Sequence, residues 1–241
     1  MRSTTTSAEP YRPSAADFYR ANRGGGLFSE ALSQRLGAGL AWLAYRFGLS
    51  PSTVTIGNLV LGLSASVTTA ALAAPVADGT VPAWAAGLVA LIGWQTAYAL
   101  DCADGQLARV TGRDSPAGAR LDVLCDVAAQ IGVVTALGAT AVAQRPSTPV
   151  WLVAAFAGSW MVNLVTSVMQ SGPSRASLIT STALPVRLVK LVRDYGALIF
   201  VAALVLLLAP AATIWTITAL TTLNSTFLLA SIAASTRPSP H

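Results

Sequence analysis

Charge is what this sequence has least of. Charged residues occupy 10% of the 241 positions, against 54% for hydrophobic ones, and the mean hydropathy is +0.60. A soluble helical domain would need charges along every helix, whereas long stretches here carry none, so the composition is that of a membrane protein. Cysteine is equally scarce. Only Cys102 and Cys125 occur, each inside an apolar run beside an aspartate, which argues against a disulfide framework and reads both as reduced packing residues. The first long apolar run begins only around Thr53, so no secretory signal peptide is expected. One lysine against fourteen arginines, with abundant alanine, is the usage of a GC-rich bacterial genome.

A net charge of +5 and an isoelectric point near 9.8 would raise nucleic-acid binding in a soluble chain. Here the basic residues flank apolar spans and do not interleave with aromatics in a base-stacking pattern, so no nucleic-acid partner is expected.

The pattern along the chain predicts an all-α polytopic membrane bundle of six transmembrane helices preceded by an interfacial helix. Residues 1–13, rich in Ser, Thr and Pro, read as a disordered tail. Residues 14–48 read as an amphipathic juxtamembrane segment, with Phe28, Leu32, Leu36, Leu40, Leu43 and Phe47 recurring every three or four positions. Arg20 and Arg23 just before that run would meet anionic head groups. Residues 49–235 form the membrane domain, and 236–241 a short tail. Windows of about 20 apolar residues, the length needed to cross the hydrocarbon, fall at 53–74, 82–110, 118–143, 149–170, 191–209 and 212–233. In this layout fourteen of the fifteen Arg and Lys residues lie on one side, with Arg145 alone on the other. The positive-inside rule then places both termini in the cytosol, in a bacterial cytoplasmic membrane.

The second window is too long for its task. A helix over 82–110 is about 43 Å long against a hydrocarbon core of roughly 30 Å, so its end, Asp101 to Arg109, projects into the interface. Asp101, Asp104, Gly105, Ala108 and Arg109 share one face of that helix, and Gly118, Asp122 and Asp126 form a stripe on the next. Four carboxylates on adjacent helices then converge. An aspartate within a span costs on the order of 2.5–3.5 kcal/mol at the bilayer centre, less at its edge, and mutual repulsion adds to that. Divalent cations compensate: Mg²⁺ or Mn²⁺ take carboxylate oxygens, and two such ions clamp phosphoryl oxygens. Gly105 and Gly118 leave room for a diphosphate, and Ala108 allows close helix packing.

The run Asp101-Cys102-Ala103-Asp104-Gly105-Gln106-Leu107-Ala108-Arg109, followed by Gly118, Asp122 and Asp126 at their spacings, resembles the signature of the CDP-alcohol phosphotransferase family at every defined position. The resemblance implies transfer of a substituted phosphoryl group, such as a phosphatidyl group, from a CDP-linked donor (CDP-diacylglycerol or another CDP-alcohol) to a small alcohol or lipid acceptor, with release of CMP, in phospholipid synthesis. By that resemblance Asp101, Asp104, Asp122 and Asp126 hold two divalent ions, Asp126 is also the base for the acceptor hydroxyl, and Gly105, Ala108, Arg109 and Gly118 line the nucleotide pocket. It also implies a homodimer. Residues 49–55 are similar to the family's Thr-Pro-Asn-x-x-Thr opening, with Ser52 in the place where asparagine is common; either residue caps a helix, and no site residue is placed there. Arg175, Arg187 and Lys190 are candidate contacts for an acceptor phosphate. The Arg-Ala-Arg-type segment of phosphate-accepting members is absent, the sequence reading Gln170-Ser171-Gly172-Pro173-Ser174-Arg175. An intramembrane prenyltransferase would have a different aspartate spacing, and an ion-coupled transporter would carry its acidic residues near the midplane.

Overall fold

A computed structural model of the chain describes residues 12–22, 26–170 and 194–235. Among these every regular element is helical: α1 (Ala15–Arg20), a π-helical turn (Ser29–Ser33) leading into α2 (Gln34–Arg46), α3 (Pro51–Ala71), α4 (Ala73–Ala77), α5 (Ala83–Thr111), α6 (Pro116–Gln144), α7 (Val150–Gln170), α8 (Tyr195–Leu208) and α9 (Thr213–Ser235). Four segments, α3, α5, α6 and 210–233, are long and apolar enough to cross a membrane. Val150–Val162 of α7 and α8 are apolar but shorter. In the fifth window, where Arg193 and Asp194 already favour an entry at Tyr195 or Gly196, the helix runs Tyr195–Leu208 with Asp194 as its N-cap.

Small residues decide how closely the helices approach. α3 lies against both α5 and α6 through Gly62, Ala65 and Ser66, and the Trp94 indole N–H donates to Ser66 Oγ at 2.9 Å. α8 packs on α5 at Gly87, where a Cβ would sit 2.2 Å from Leu207 Cα, so backbone itself occupies the space a side chain would need. Gly87→Val should therefore lower the thermal midpoint in detergent, by an overpacking cost of about 1–3 kcal/mol; an unchanged melting curve would show that α8 does not pack there. The main core gathers Trp94, Leu137, Phe156, Trp160, Ile199, Leu206 and Ile217.

The juxtamembrane segment is not one regular helix. After α1 it continues through the π-helical turn, where the Ser29 N–H bonds to the Asp194 carboxylate. α2 then turns its small residues, Gly37, Ala38, Ala41 and Ala44, onto the bundle and leaves Leu36, Leu43 and Phe47 exposed. Those bulky side chains form one exposed apolar face, the pattern expected of an interfacial helix. Phe18 of α1 is fully buried with Ala38, Ala41, Ala103 and Leu107, which fastens the segment over the charged end of α5. Arg20 pairs with Asp17 on the exposed side of α1, and Arg23 lies outside the described residues. α3 is capped by Ser50, whose Oγ accepts from Thr53 N–H at 3.1 Å, with Pro51 as its first residue; Ser52 is already inside the helix. The cap thus sits two positions earlier than the motif comparison placed it, because Pro51 suits the first helical turn, where its missing N–H costs nothing.

The α5–α6 hairpin sets up everything that follows. Gly112 ends α5 at φ 64°, a left-handed conformation that a Cβ would strain, and Arg113 N–H closes the turn on Ala108 O at 2.8 Å. Ser115 then caps α6, accepting from Gly118 N–H at 3.0 Å, with Pro116 at the first position. Only four residues, Gly112 to Ser115, therefore separate the two helices. At the far end of α5, before its N-terminus, Asp78 accepts from the Thr80 backbone N–H (2.9 Å) and hydroxyl (2.7 Å), which holds its carboxyl below the ordinary range.

Candidate metal centre

Helix geometry makes the aspartates meet in pairs. Asp104 lies about 12 Å of helix before Gly112 and Asp122 about 10 Å after Ser115, while Asp101 and Asp126 are each about 16 Å from the turn. Asp104 thus stands at the depth of Asp122, and Asp101 at that of Asp126. The side chains follow this ladder. Carboxylate oxygens of Asp101, Asp104 and Asp122 lie within 4.8 Å of one another, and Asp101 and Asp126 line one recess together.

The neighbouring helix α3 holds two of these carboxylates in place. Thr55 Oγ1 donates to Asp104 Oδ2 at 2.5 Å, and Asn58 Nδ2 donates to Asp101 Oδ1 at 3.2 Å. Both side chains are buried and stand one turn apart, so α3 presents a polar edge to the cluster while its opposite side stays apolar. One oxygen, Asp122 Oδ1, is buried with no hydrogen-bond partner. An unsatisfied buried oxygen costs about 1–3 kcal/mol, more when charged. An all-oxygen donor set with an unused ligand atom fits a hard divalent cation, and Mg²⁺ and Mn²⁺ accept such ligands.

Arg109 lies on the same face. Its guanidinium folds back over Gly105, with Nη1 2.9 Å from where a Cβ would be, its charge acts on Asp122, and its Nε donates to the carbonyl of Ala21 at 2.6 Å. Gln106, fully buried, donates to Asn22 Oδ1 (2.8 Å) and to the Gln34 carbonyl (3.1 Å). The juxtamembrane segment is therefore part of the wall around the site. Gly105, Ala108 and Gly118 are half-buried around the same end of the hairpin. Arg175, Arg187 and Lys190 lie outside the described residues, as does the Ser171–Arg175 departure from the phosphate-accepting pattern.

A family model described as CDP-alcohol phosphatidyltransferase matches residues 49–233. The chain belongs to the CDP-alcohol phosphatidyltransferase family. It is accordingly a membrane transferase of the CDP-alcohol type, from a family that uses a divalent metal, and its Asp101, Asp104 and Asp122 form a group able to hold one. A comparison with curated proteins finds no match.

The polar residues that join the site without having been assigned to it are Asn58, Tyr98, Tyr195 and Thr55, the threonine that closes the opening at residues 49–55. Asn58, Tyr98, Asp101, Asp126 and Tyr195 line a recess that runs from the carboxylates toward the interior of the bundle. A faint signal for two of them exists in the sequence: Thr55 and Asn58 are three apart in an otherwise apolar span, where polar side chains need partners. Nothing in the spacing points to Tyr98 and Tyr195, which come from helices far apart in the chain.

Proposed function

We propose that this protein transfers a phosphatidyl group from CDP-diacylglycerol, or the equivalent group of another CDP-alcohol, to an alcohol acceptor, releasing CMP. The observation that carries the proposal is the convergence of Asp101, Asp104 and Asp122 within 4.8 Å, with Asp126 lining the same recess as Asp101. These carboxylates would hold divalent ions, Mg²⁺ or Mn²⁺ and two in number, whose charge would neutralise the diphosphate and polarise the phosphorus under attack.

Asp101, Asp104 and Asp122 serve as the ligands, and Asp126 completes the set. Arg109, held by Ala21, reaches the diphosphate together with the backbone at Gly105, Ala108 and Gly118. The acceptor enters the recess with its hydroxyl toward Asp126, which takes the hydroxyl proton as the oxygen attacks the phosphorus bearing the lipid alcohol. The bond from that phosphorus to the CMP oxygen breaks, and CMP leaves with the electron pair. Arg175, Arg187 and Lys190 bind the phosphate of a phosphorylated acceptor. A six-span bundle with both termini in the cytosol of a bacterial cell places the site at the cytosolic interface, where a water-soluble nucleotide meets a lipid. Two copies form the working unit.

The test is CMP release from membranes given radiolabelled CDP-diacylglycerol, Mn²⁺ or Mg²⁺ and a panel of alcohols. Release that depends on one acceptor supports the reading and names the substrate; folded protein silent with every CDP-alcohol donor rejects it. Thr55→Val and Asn58→Leu should each weaken Mn²⁺ binding by about 10- to 100-fold, because they remove the hydrogen bonds that orient Asp104 and Asp101. Titration of Mn²⁺ dependence in the two variants measures this, and wild-type affinity in both would show that α3 does not orient the ligands.

A further inference from the structure

Asp194 is buried at the joint of three elements and has no place in the chemistry above. It is the N-cap of α8, accepting the Gly196 N–H at 3.1 Å. It also accepts the Ser29 N–H at 2.9 Å and the Ser29 hydroxyl. The Ser29 hydroxyl has a single proton, given to the carboxylate, so in the 2.9 Å contact between Ser29 Oγ and the Tyr98 hydroxyl it is Tyr98 that donates. The result is a directed chain from Tyr98 through Ser29 to Asp194. Gly26 passes directly over the carboxylate, leaving no room for a Cβ, which would meet Asp194 Oδ2 at 2.1 Å. Gln95 Nε2 closes the joint by donating to the Gly196 carbonyl at 3.1 Å.

Both groups that this joint holds face the recess. Tyr98 is one turn before Asp101 on α5, Tyr195 is the first residue of α8, and the two rings meet edge to face with centroids 5.1 Å apart. Both line the recess with Asp101 and Asp126. A buried carboxylate that accepts three hydrogen bonds is a rigid anchor, since losing any one of them leaves a polar group unsatisfied.

We propose that Asp194 is a positioning residue that sets the two tyrosine walls of the acceptor recess, fixing Tyr195 through the first turn of α8 and Tyr98 through Ser29. The inference rests on the transferase reading for the identity of the recess, but the anchoring itself does not. Misplacement of the walls by about an ångström should cost about 10- to 100-fold in reaction with the acceptor and leave the donor, bound on the side of the aspartates nearer the Gly112 turn, unaffected.

The experiment compares wild type, Asp194→Asn, Asp194→Ala, Ser29→Ala and Ser29→Ala/Asp194→Ala in membranes. The substrates are CDP-diacylglycerol with Mn²⁺ and whichever of glycerol 3-phosphate, inositol phosphate and glycerol gives the fastest CMP release. In Asp194→Ala the acceptor KM rises by about tenfold or more while the donor KM stays within about twofold, as a displaced wall requires. Asp194→Asn, which keeps an acceptor oxygen for Gly196 or Ser29, recovers most of the loss. The double variant is no worse than Asp194→Ala, because both substitutions break one chain. Equal loss toward donor and acceptor, or multiplying effects in the double variant, overturns the proposal. If the wild type is silent with every donor, the transferase reading falls. Hydrogen exchange then decides the anchoring: faster exchange at 26–33 and 195–200 in Asp194→Ala upholds it, and unchanged exchange there refutes it.

Discussion

Asp126→Asn is expected to slow CMP release by about 10²- to 10⁴-fold, the contribution of a positioned general base, while Mn²⁺-dependent binding of CDP survives. Asparagine has the shape of aspartate but cannot accept a proton, so the substitution removes the base and leaves the recess filled. The ligand trio stays intact, because Asp101, Asp104 and Asp122 converge without Asp126. Asp126 completes the set from the deeper level of the hairpin, where it lines the recess with Asp101 beside the space an acceptor hydroxyl would occupy. Single-turnover CMP release, read beside equilibrium CDP binding, separates the two effects. Full turnover in the variant would remove Asp126 from the role of base, and lost CDP binding would make it chiefly a ligand.

Asp104→Asn should abolish more. It removes a charged ligand from the centre of the trio, and a metal that stabilises transition-state charge by several kcal/mol is worth at least about 10³-fold in rate. A second readout needs no activity at all. Without metal, clustered buried carboxylates repel one another, so in EDTA the variant should melt at or above the wild-type temperature. Mn²⁺ at about a hundred times its Kd should stabilise the wild type by about 2.7 kcal/mol and the variant far less. The sign of the difference therefore reverses with the metal. A purely structural Asp104, held by the Thr55 hydroxyl, would instead destabilise the protein equally in both conditions when replaced.

Much of the site is written in consecutive residues because it is built on one hairpin. Asp101 and Asp104 precede Gly112 on α5 at the same distances, within about an ångström or two, that Asp126 and Asp122 follow Ser115 on α6. Spacing within each helix fixes the face, and the length of the turn fixes the register. The contribution of α3 was harder to read. Thr55 closes the opening at residues 49–55 and Asn58 looks like an ordinary span residue, and only the packing of α3 on α5 points them at Asp104 and Asp101. The juxtamembrane segment shows the same limit. Its periodic leucines mark the exposed side, yet the side that matters to the site is the run of small residues, together with Ala21 and Asn22, that closes over Arg109 and Gln106.

By itself, the sequence determined the membrane composition, the helical architecture and the pairing of four aspartates on two successive helices, since periodicity, caps and charge scarcity are local properties of the chain. The family follows from the same residues. Only the tertiary structure decided which distant groups complete the site. Asp194 meets Ser29 across 165 positions and Tyr98 meets Tyr195 across nearly a hundred, and no local rule links such pairs. Their contact depends on how closely α8 and the juxtamembrane segment approach α5. Gly87 and Gly196 set that distance by having no side chain, and what an absent side chain allows is visible only once the neighbouring backbone is in place.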